Sequence, residues 1–292
     1  MNLRTGLAGI AATLAWLTLH STPALADDVV LAPASEWTFN EYEDRCRATR
    51  VFGEGRDSTT LWLEQGGTEP NYNLTLIGRP LRHPYGGGVF VQFGEEPEFI
   101  RSYIALESNQ GRPVLAMFGA AIVQPEDMER ERDVDAPDSA FDRERATAIK
   151  TLRLRSSIPD PLELQLGSME KPLAFLDECG ARISAMLSAA GRALTGEASP
   201  PQPIDEENWL TGADYPRYLL RAQMQGRLGV RLTVNRRGKP SSCFVLESNK
   251  PQVFDDAVCL NLMKRAQFEP ARDGEGNPVA SYYHTTVSFV IR

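Results

Sequence analysis

Apolar positions along this chain change period midway. Between residues 45 and 118 they alternate with polar ones in short runs rich in β-branched and aromatic side chains, each bounded by Gly, Pro, Asn or Asp. The runs 45–52, 59–64, 72–77, 89–93, 103–106 and 114–118 predict strands. Over 171–194 the period lengthens. Leu173, Leu176, Ile183, Leu187 and Leu194 recur at helical spacing behind Pro172, a residue suited to a first turn.

A second series follows a break at 196–207. Tyr215-Pro216 opens a short helix over 215–222, closed by Gly226. Val230, Leu232 and Val234 alternate with Arg231, Thr233 and Asn235, the pattern of a half-buried strand. Asn235-Arg236-Arg237-Gly238 signals a hairpin turn into a second strand at 242–247. Phe254, Val258 and Leu262 then mark an amphipathic helix ending in Lys264-Arg265, cations that suit the negative end of a helix dipole. A final strand is expected over 282–291, with Tyr283, Val287, Phe289 and Ile291 on one face. The fold class these patterns predict is α+β: a strand-rich domain that ends in a helix, followed by a small domain of helix–strand–strand–helix–strand order.

The opening residues look like an export signal. Arg4 precedes an apolar stretch from Gly6 to Leu19, Pro23 breaks it, and Ala24-Leu25-Ala26 has the small-x-small form of a cleavage site. The stretch is shorter than the roughly 20 residues of a spanning helix, so cleavage after Ala26 and a periplasmic location are expected. Retention as an inner-membrane anchor facing the periplasm is the alternative. The expected organisation is a signal peptide at 1–26, a strand-rich domain at 27–195, a Pro-rich linker at 196–206 and a last domain at 207–292. The linker carries Ala-Ser-Pro-Pro-Gln-Pro, a stiff extended composition that reaches about 35 Å at roughly 3 Å per residue.

Composition adds little beyond a soluble globular class, with 42% hydrophobic and 24% charged residues. The net charge of −8 is unevenly spread: residues 27–206 carry −13 and residues 207–292 carry +4. Opposite signs would let the halves dock on one another, or let the basic half meet an acidic partner.

The four cysteines, Cys46, Cys179, Cys243 and Cys259, are an even number in a chain expected to be exported, which favours disulfides. Of the three possible connectivities, the two-domain organisation selects Cys46 with Cys179 and Cys243 with Cys259. Zinc is the rival, but there is no Cys-x-x-Cys pair, and His83 and His284 are the only histidines after residue 26.

No catalytic constellation stands out. His83 is the one histidine of 27–195, with no nucleophile elbow or metal pair beside it. Gly86-Gly87-Gly88 lacks the Lys-Ser/Thr and helix start of a phosphate loop. Asp133, Asp135 and Asp138 approach calcium-loop spacing, yet Pro137 takes a ligand position. The charged run 124–145 has no apolar period and is expected to be an exposed loop. An enzyme is not expected, nor a metal, a cofactor or a nucleic-acid partner.

Residues 210–292 carry a particular set of words in order. They are Tyr215-Pro216, Gly229 before a strand, Asn235-Arg236-Arg237-Gly238-Lys239-Pro240, Cys243 and Ser248, Phe254-Asp255-Asp256-Ala257, and Phe268-Glu269-Pro270-Ala271-Arg272-Asp273-Gly274 before the last strand. This segment resembles the C-terminal domain family of TonB, the energy-transducing periplasmic protein. The resemblance implies a three-stranded antiparallel sheet with two helices. It also implies recognition of outer-membrane receptors by adding the receptor's short periplasmic strand to the sheet edge. That edge would be the last strand, with Tyr283, Thr285, Val287, Phe289 and Ile291 as partner-binding positions acting through their backbone while apolar side chains pack in the core. Arg217, Arg221 and Arg231 are expected at the solvated surface, where an acidic partner could meet them. The expected function is a periplasmic binding or adaptor protein. Its partner would be a periplasmic segment of an outer-membrane receptor or another envelope protein, or a second copy through the last strand. A membrane-anchored energy transducer and a hydrolase in 27–195 are the alternatives. The family's anchor helix and long spacer are replaced here by the signal-like leader, a domain and a short linker.

Overall fold

The computed structural model describes residues 28–68, 71–81, 88–123, 143–155, 161–192, 198–248 and 252–291. The expected signal peptide, His83, Gly86-Gly87 and most of the charged run, including Asp133, Asp135 and Asp138, lie outside them.

The first half is built from short amphipathic strands. β1 (Val29–Leu31), β2 (Thr38–Glu41), β3 (Cys46–Phe52), β4 (Thr59–Gln65), β5 (Asn71–Gly78), β6 (Val89–Phe93), β7 (Phe99–Arg101), β8 (Ile104–Glu107) and β9 (Pro113–Ala121) come first. Helix α1 (Arg143–Ala148), strands β10 (Thr151–Arg155) and β11 (Leu162–Gln165), and the long helix α2 (Glu170–Arg192) follow. One antiparallel sheet runs β2-β3-β4-β5-β9-β8. The other runs β1-β11-β10-β6-β7, parallel only between β1 and β11. The alternation in Val89-Phe90-Val91-Gln92-Phe93 buries Val89, Val91 and Phe93. They join Leu61, Leu63, Leu74, Leu76 and Met117 of the other sheet in one core. Helix α2 adds Leu173, Leu176, Ile183 and Leu187, the stripe its spacing announced.

Two corrections follow. The charged run does not stay irregular to residue 145, because Arg143 to Ala148 turn as α1 once Ala146 is buried in the core. Strands β1, β2, β7, β10 and β11 also exceed those expected. Each has at most five residues; β10 does alternate, as Thr151-Leu152-Arg153-Leu154-Arg155, but with leucine and arginine rather than the β-branched and aromatic residues that marked the expected runs.

The chain then runs through β12 (Gln202–Ile204), short 3-10 turns at Glu206–Asn208 and Gly212–Asp214, and α3 (Arg217–Arg221). Next come β13 (Gly226–Val234), β14 (Pro240–Ser248), α4 (Gln252–Arg265), β15 (Gln267–Glu269), β16 (Ala271–Arg272), β17 (Pro278–Val279) and β18 (Ser281–Phe289). The main sheet of this module is three-stranded and antiparallel, in the order β14-β13-β18. Leu228, Val230, Leu232 and Val234 of β13 face Phe254, Val258 and Leu262 of α4 in a second core. Tyr215, Phe254 and Phe289 meet there with ring centroids 4.9 to 5.5 Å apart. Phe254 is fully buried; cutting such a ring to Ala costs about 3–5 kcal/mol. The segment expected as linker pairs through β12 with β15 and then turns at Asp205, which is left-handed at φ +50°, into the 3-10 turn from Glu206.

Two of the motif words touch. Gly238 closes the β13–β14 hairpin at φ +71°, a left-handed conformation that suits glycine, and its amide donates to the Asn235 carbonyl at 2.9 Å. The Asn235 side-chain oxygen accepts from the amides of Arg237 and Lys239. The Gly238 carbonyl in turn accepts from the Phe268 amide at 2.9 Å, and a Cβ at 238 would overlap the Phe268 carbonyl oxygen. The hairpin and the Phe268-Glu269-Pro270 segment therefore hold each other.

The two halves are in contact. Arg101 donates to Asp256 at 2.7 Å and to the Gly119 carbonyl at 2.7 Å, and the Ser102 amide reaches the same aspartate at 3.2 Å. The two charged side chains are only 5% and 7% exposed. Glu43 pairs with Arg236 and accepts from the Ala280 amide. The buried pair runs against the charge asymmetry, with the cation on the acidic half.

Candidate partner-binding edge

Strand β18 exists because residues 281–289 alternate. Ser281 and Phe289 are buried at its ends, and His284, Thr286 and Ser288 are exposed between half-buried neighbours. Its inner side pairs with β13 in unbroken register, Tyr283 opposite Leu232, Thr285 opposite Val230, Val287 opposite Leu228 and Phe289 opposite Gly226. Among the described residues no strand pairs with its outer side.

The five positions expected at the edge thus fall together. Tyr283, Thr285, Val287 and Phe289 lie on β18 and Ile291 just beyond it. Tyr283, Val287 and Ile291 pack against the second core, and Phe289 belongs to it. Along its outer side this strand carries backbone that no described strand pairs with, beside half-buried side chains. The first part of β18 is held by the other half. Ala280 belongs to the first core, Tyr282 packs against it, and the Tyr282 hydroxyl donates to the Gly66 carbonyl at 3.4 Å.

Sequence reasoning did not single out Glu206. Its carboxylate accepts from the Tyr283 hydroxyl at 2.9 Å and from Thr285 Oγ1 at 3.2 Å, so it sits against the core-facing side of β18. Burial, and then the bond to Glu206, push the Tyr283 hydroxyl up to about 12. Trp209 follows the same turn and packs against Phe268 and Tyr283, with its indole N–H on the Ile204 carbonyl at 2.9 Å. Only the turn's proximity to β18 in space reveals this role.

On the opposite face, Arg231 stacks over the Tyr282 ring at 4.4 Å and the Phe244 ring at 5.3 Å. Partial desolvation of its ring against the sheet first, then that guanidinium, lowers the pKa of His284. Arg217 and Arg221 lie on α3, both exposed.

All four cysteines are at disulfide distance in two pairs. Cys46 of β3 and Cys179 of α2 have Cα atoms 6.0 Å apart, and Cys243 of β14 and Cys259 of α4 are 5.6 Å apart. Among the described residues no group of three or more His, Cys, Asp or Glu could hold a metal. No described helix is long and apolar enough to cross a membrane.

A three-stranded antiparallel sheet, backed by two helices, makes this a small module of the α+β class. Residues 211–291 match the family described as Gram-negative bacterial TonB protein C-terminal. That family is a non-enzymatic transport adaptor domain of the Gram-negative envelope, and its members interact with outer-membrane receptors. Curated proteins give no match to this chain.

Proposed function

We propose that this protein is a periplasmic adaptor whose last module, 207–292, binds an extended segment of an outer-membrane receptor or another envelope protein by strand addition to β18. The observation that carries this reading is the unpaired outer side of β18. Residues 285–291 contain neither a charge nor a proline, the usual guards of an exposed edge. The Tyr283, Val287, Phe289 and Ile291 side chains serve the core, and the backbone serves the partner. The leader at 1–26 supports export, and two paired cysteine sets suit an oxidising compartment. The organisation we propose keeps 27–195 as a separate domain joined through 196–206.

Calorimetry of the full chain with short periplasmic peptides from outer-membrane receptors tests this. Amides of neighbouring strand residues point to opposite edges. Of Val287→Pro and Ser288→Pro, one therefore breaks the pairing with β13 and the other removes a donor from the open edge. The variant that keeps the circular dichroism of the parent should lose binding. No binding of any such peptide to the parent at millimolar concentration would refute strand addition. A concentration-dependent dimer in ultracentrifugation, abolished by the same proline, would assign the edge to a second copy instead.

A further inference from the structure

We propose that the strand added to β18 carries a basic side chain beside Glu206 and an apolar one beside Val287 and Ile291. This inference rests on the strand-addition reading and names the chemistry of its partner. A strand laid along the outer side of β18 turns alternate side chains to the same face as Tyr283, Thr285, Val287 and Ile291. Directly opposed side chains in such a pair lie about 5 Å apart, so each meets a defined neighbour.

At the Tyr283–Thr285 end that neighbour is a carboxylate. Glu206 is held there by two hydrogen bonds, from the Tyr283 hydroxyl at 2.9 Å and Thr285 Oγ1 at 3.2 Å. Both use the same carboxylate oxygen, and the side chain stays exposed. Asp205 and Glu207 flank it, also exposed, and among the described residues none of the three forms an ion pair. The module is basic overall, yet the charge at this end of its edge is negative. Two residues further on, Val287 and then Ile291 present half-buried apolar surface that an added apolar side chain would cover. On the other face of the strand stand His284, Thr286 and Ser288, exposed and polar, which select little. The matching partner therefore reads basic, any, apolar along its core-facing positions, in whichever chain direction it docks.

The test uses ten-residue extended peptides with alternating apolar and polar positions. They differ only in having Lys, Gln or Glu at the core-facing position nearest either end, and they are titrated into the full chain and into Glu206→Gln. The amide oxygen of glutamine can still accept from Tyr283 and Thr285, so circular dichroism should not change. The Lys peptide should bind the parent roughly fivefold more tightly than the Gln peptide, the scale of one exposed ion pair, and the Glu peptide more weakly than both. The ranking should shrink in high salt and collapse in Glu206→Gln. Equal affinities in the parent, or an unchanged ranking in the variant, would overturn the charge selection and leave strand addition standing. No binding of any peptide by the parent overturns both.

Discussion

Asp256→Ala should loosen the contact between the two halves. In the parent, Arg101 and Asp256 are 2.7 Å apart and almost fully buried, one on β7 and the other on α4. The aspartate's second oxygen accepts from the Ser102 amide. Removing it strips the counter-charge from a guanidinium that keeps the Gly119 carbonyl at 2.7 Å and the Phe99 ring at 5.2 Å, and leaves the Ser102 amide without that acceptor. Breaking a buried pair from one side costs about 3–5 kcal/mol, whereas replacing both partners by apolar residues of similar volume is often neutral. The expected series is therefore a large loss for Asp256→Ala and for Arg101→Ala, and a small one for Arg101→Met with Asp256→Leu. Urea unfolding followed by circular dichroism gives the three values, and the double-mutant cycle isolates the pair. If either single variant loses less than about 1 kcal/mol, the range of an exposed ion pair, the two halves do not close over this contact as described.

Thiol titration of the denatured, unreduced protein should read near zero, and replacing Cys243 and Cys259 by serine should cost about 3 kcal/mol, the chain-entropy value for a loop of that size; two or more reactive thiols would contradict the pairing. His284 should titrate below its ordinary 6.5, because partial desolvation and the Arg231 guanidinium both disfavour its charged form. Since the folded pKa lies below the unfolded one, the unfolded chain takes up the proton first. The associated stability is present above about 6.5 and is lost as pH falls through the folded value. An NMR titration midpoint at or above 6.5 would refute this, and Arg231→Gln should raise the midpoint.

Elements marked by β-branched and aromatic alternation or by helical apolar spacing were legible in the sequence because packing and pattern agree in them. The strand expected at 89–93 is β6, and the stripe from Leu173 to Leu187 is buried as one face of α2. The last module was legible for another reason: its words mark backbone requirements, such as the left-handed Gly238 pressed on Phe268. Short strands were not. β10 and β11 each bury only two leucines, Leu152 with Leu154 and Leu162 with Leu164, and acquire their meaning by pairing with each other and with β6. The contact of Arg101 with Asp256 joins residues 155 positions apart, and no local pattern marks Arg101 as a partner. Glu206 was hidden in the same way, as one acid among three until Tyr283 and Thr285 converge on it.

The first half narrows the ways in which a partner can approach the module. On the face of the sheet away from α4, Thr233 is fully buried and accepts from the Ser242 hydroxyl at 2.7 Å, and a Cβ at Gly66 would lie 3.1 Å from that hydroxyl. Tyr282, on the same face, reaches the Gly66 carbonyl. A partner that needed this face would first have to displace the loop at Gly66 and the buried pair at Asp256. The strand addition we propose would need neither, because it would use the outer side of β18 beyond Tyr283, where His284, Thr286 and Ser288 remain exposed. On that reading the arrangement favours edge over face: the contacts that fasten the module to its neighbour, α2 against β18 among them, still leave His284, Thr286 and Ser288 exposed along the strand.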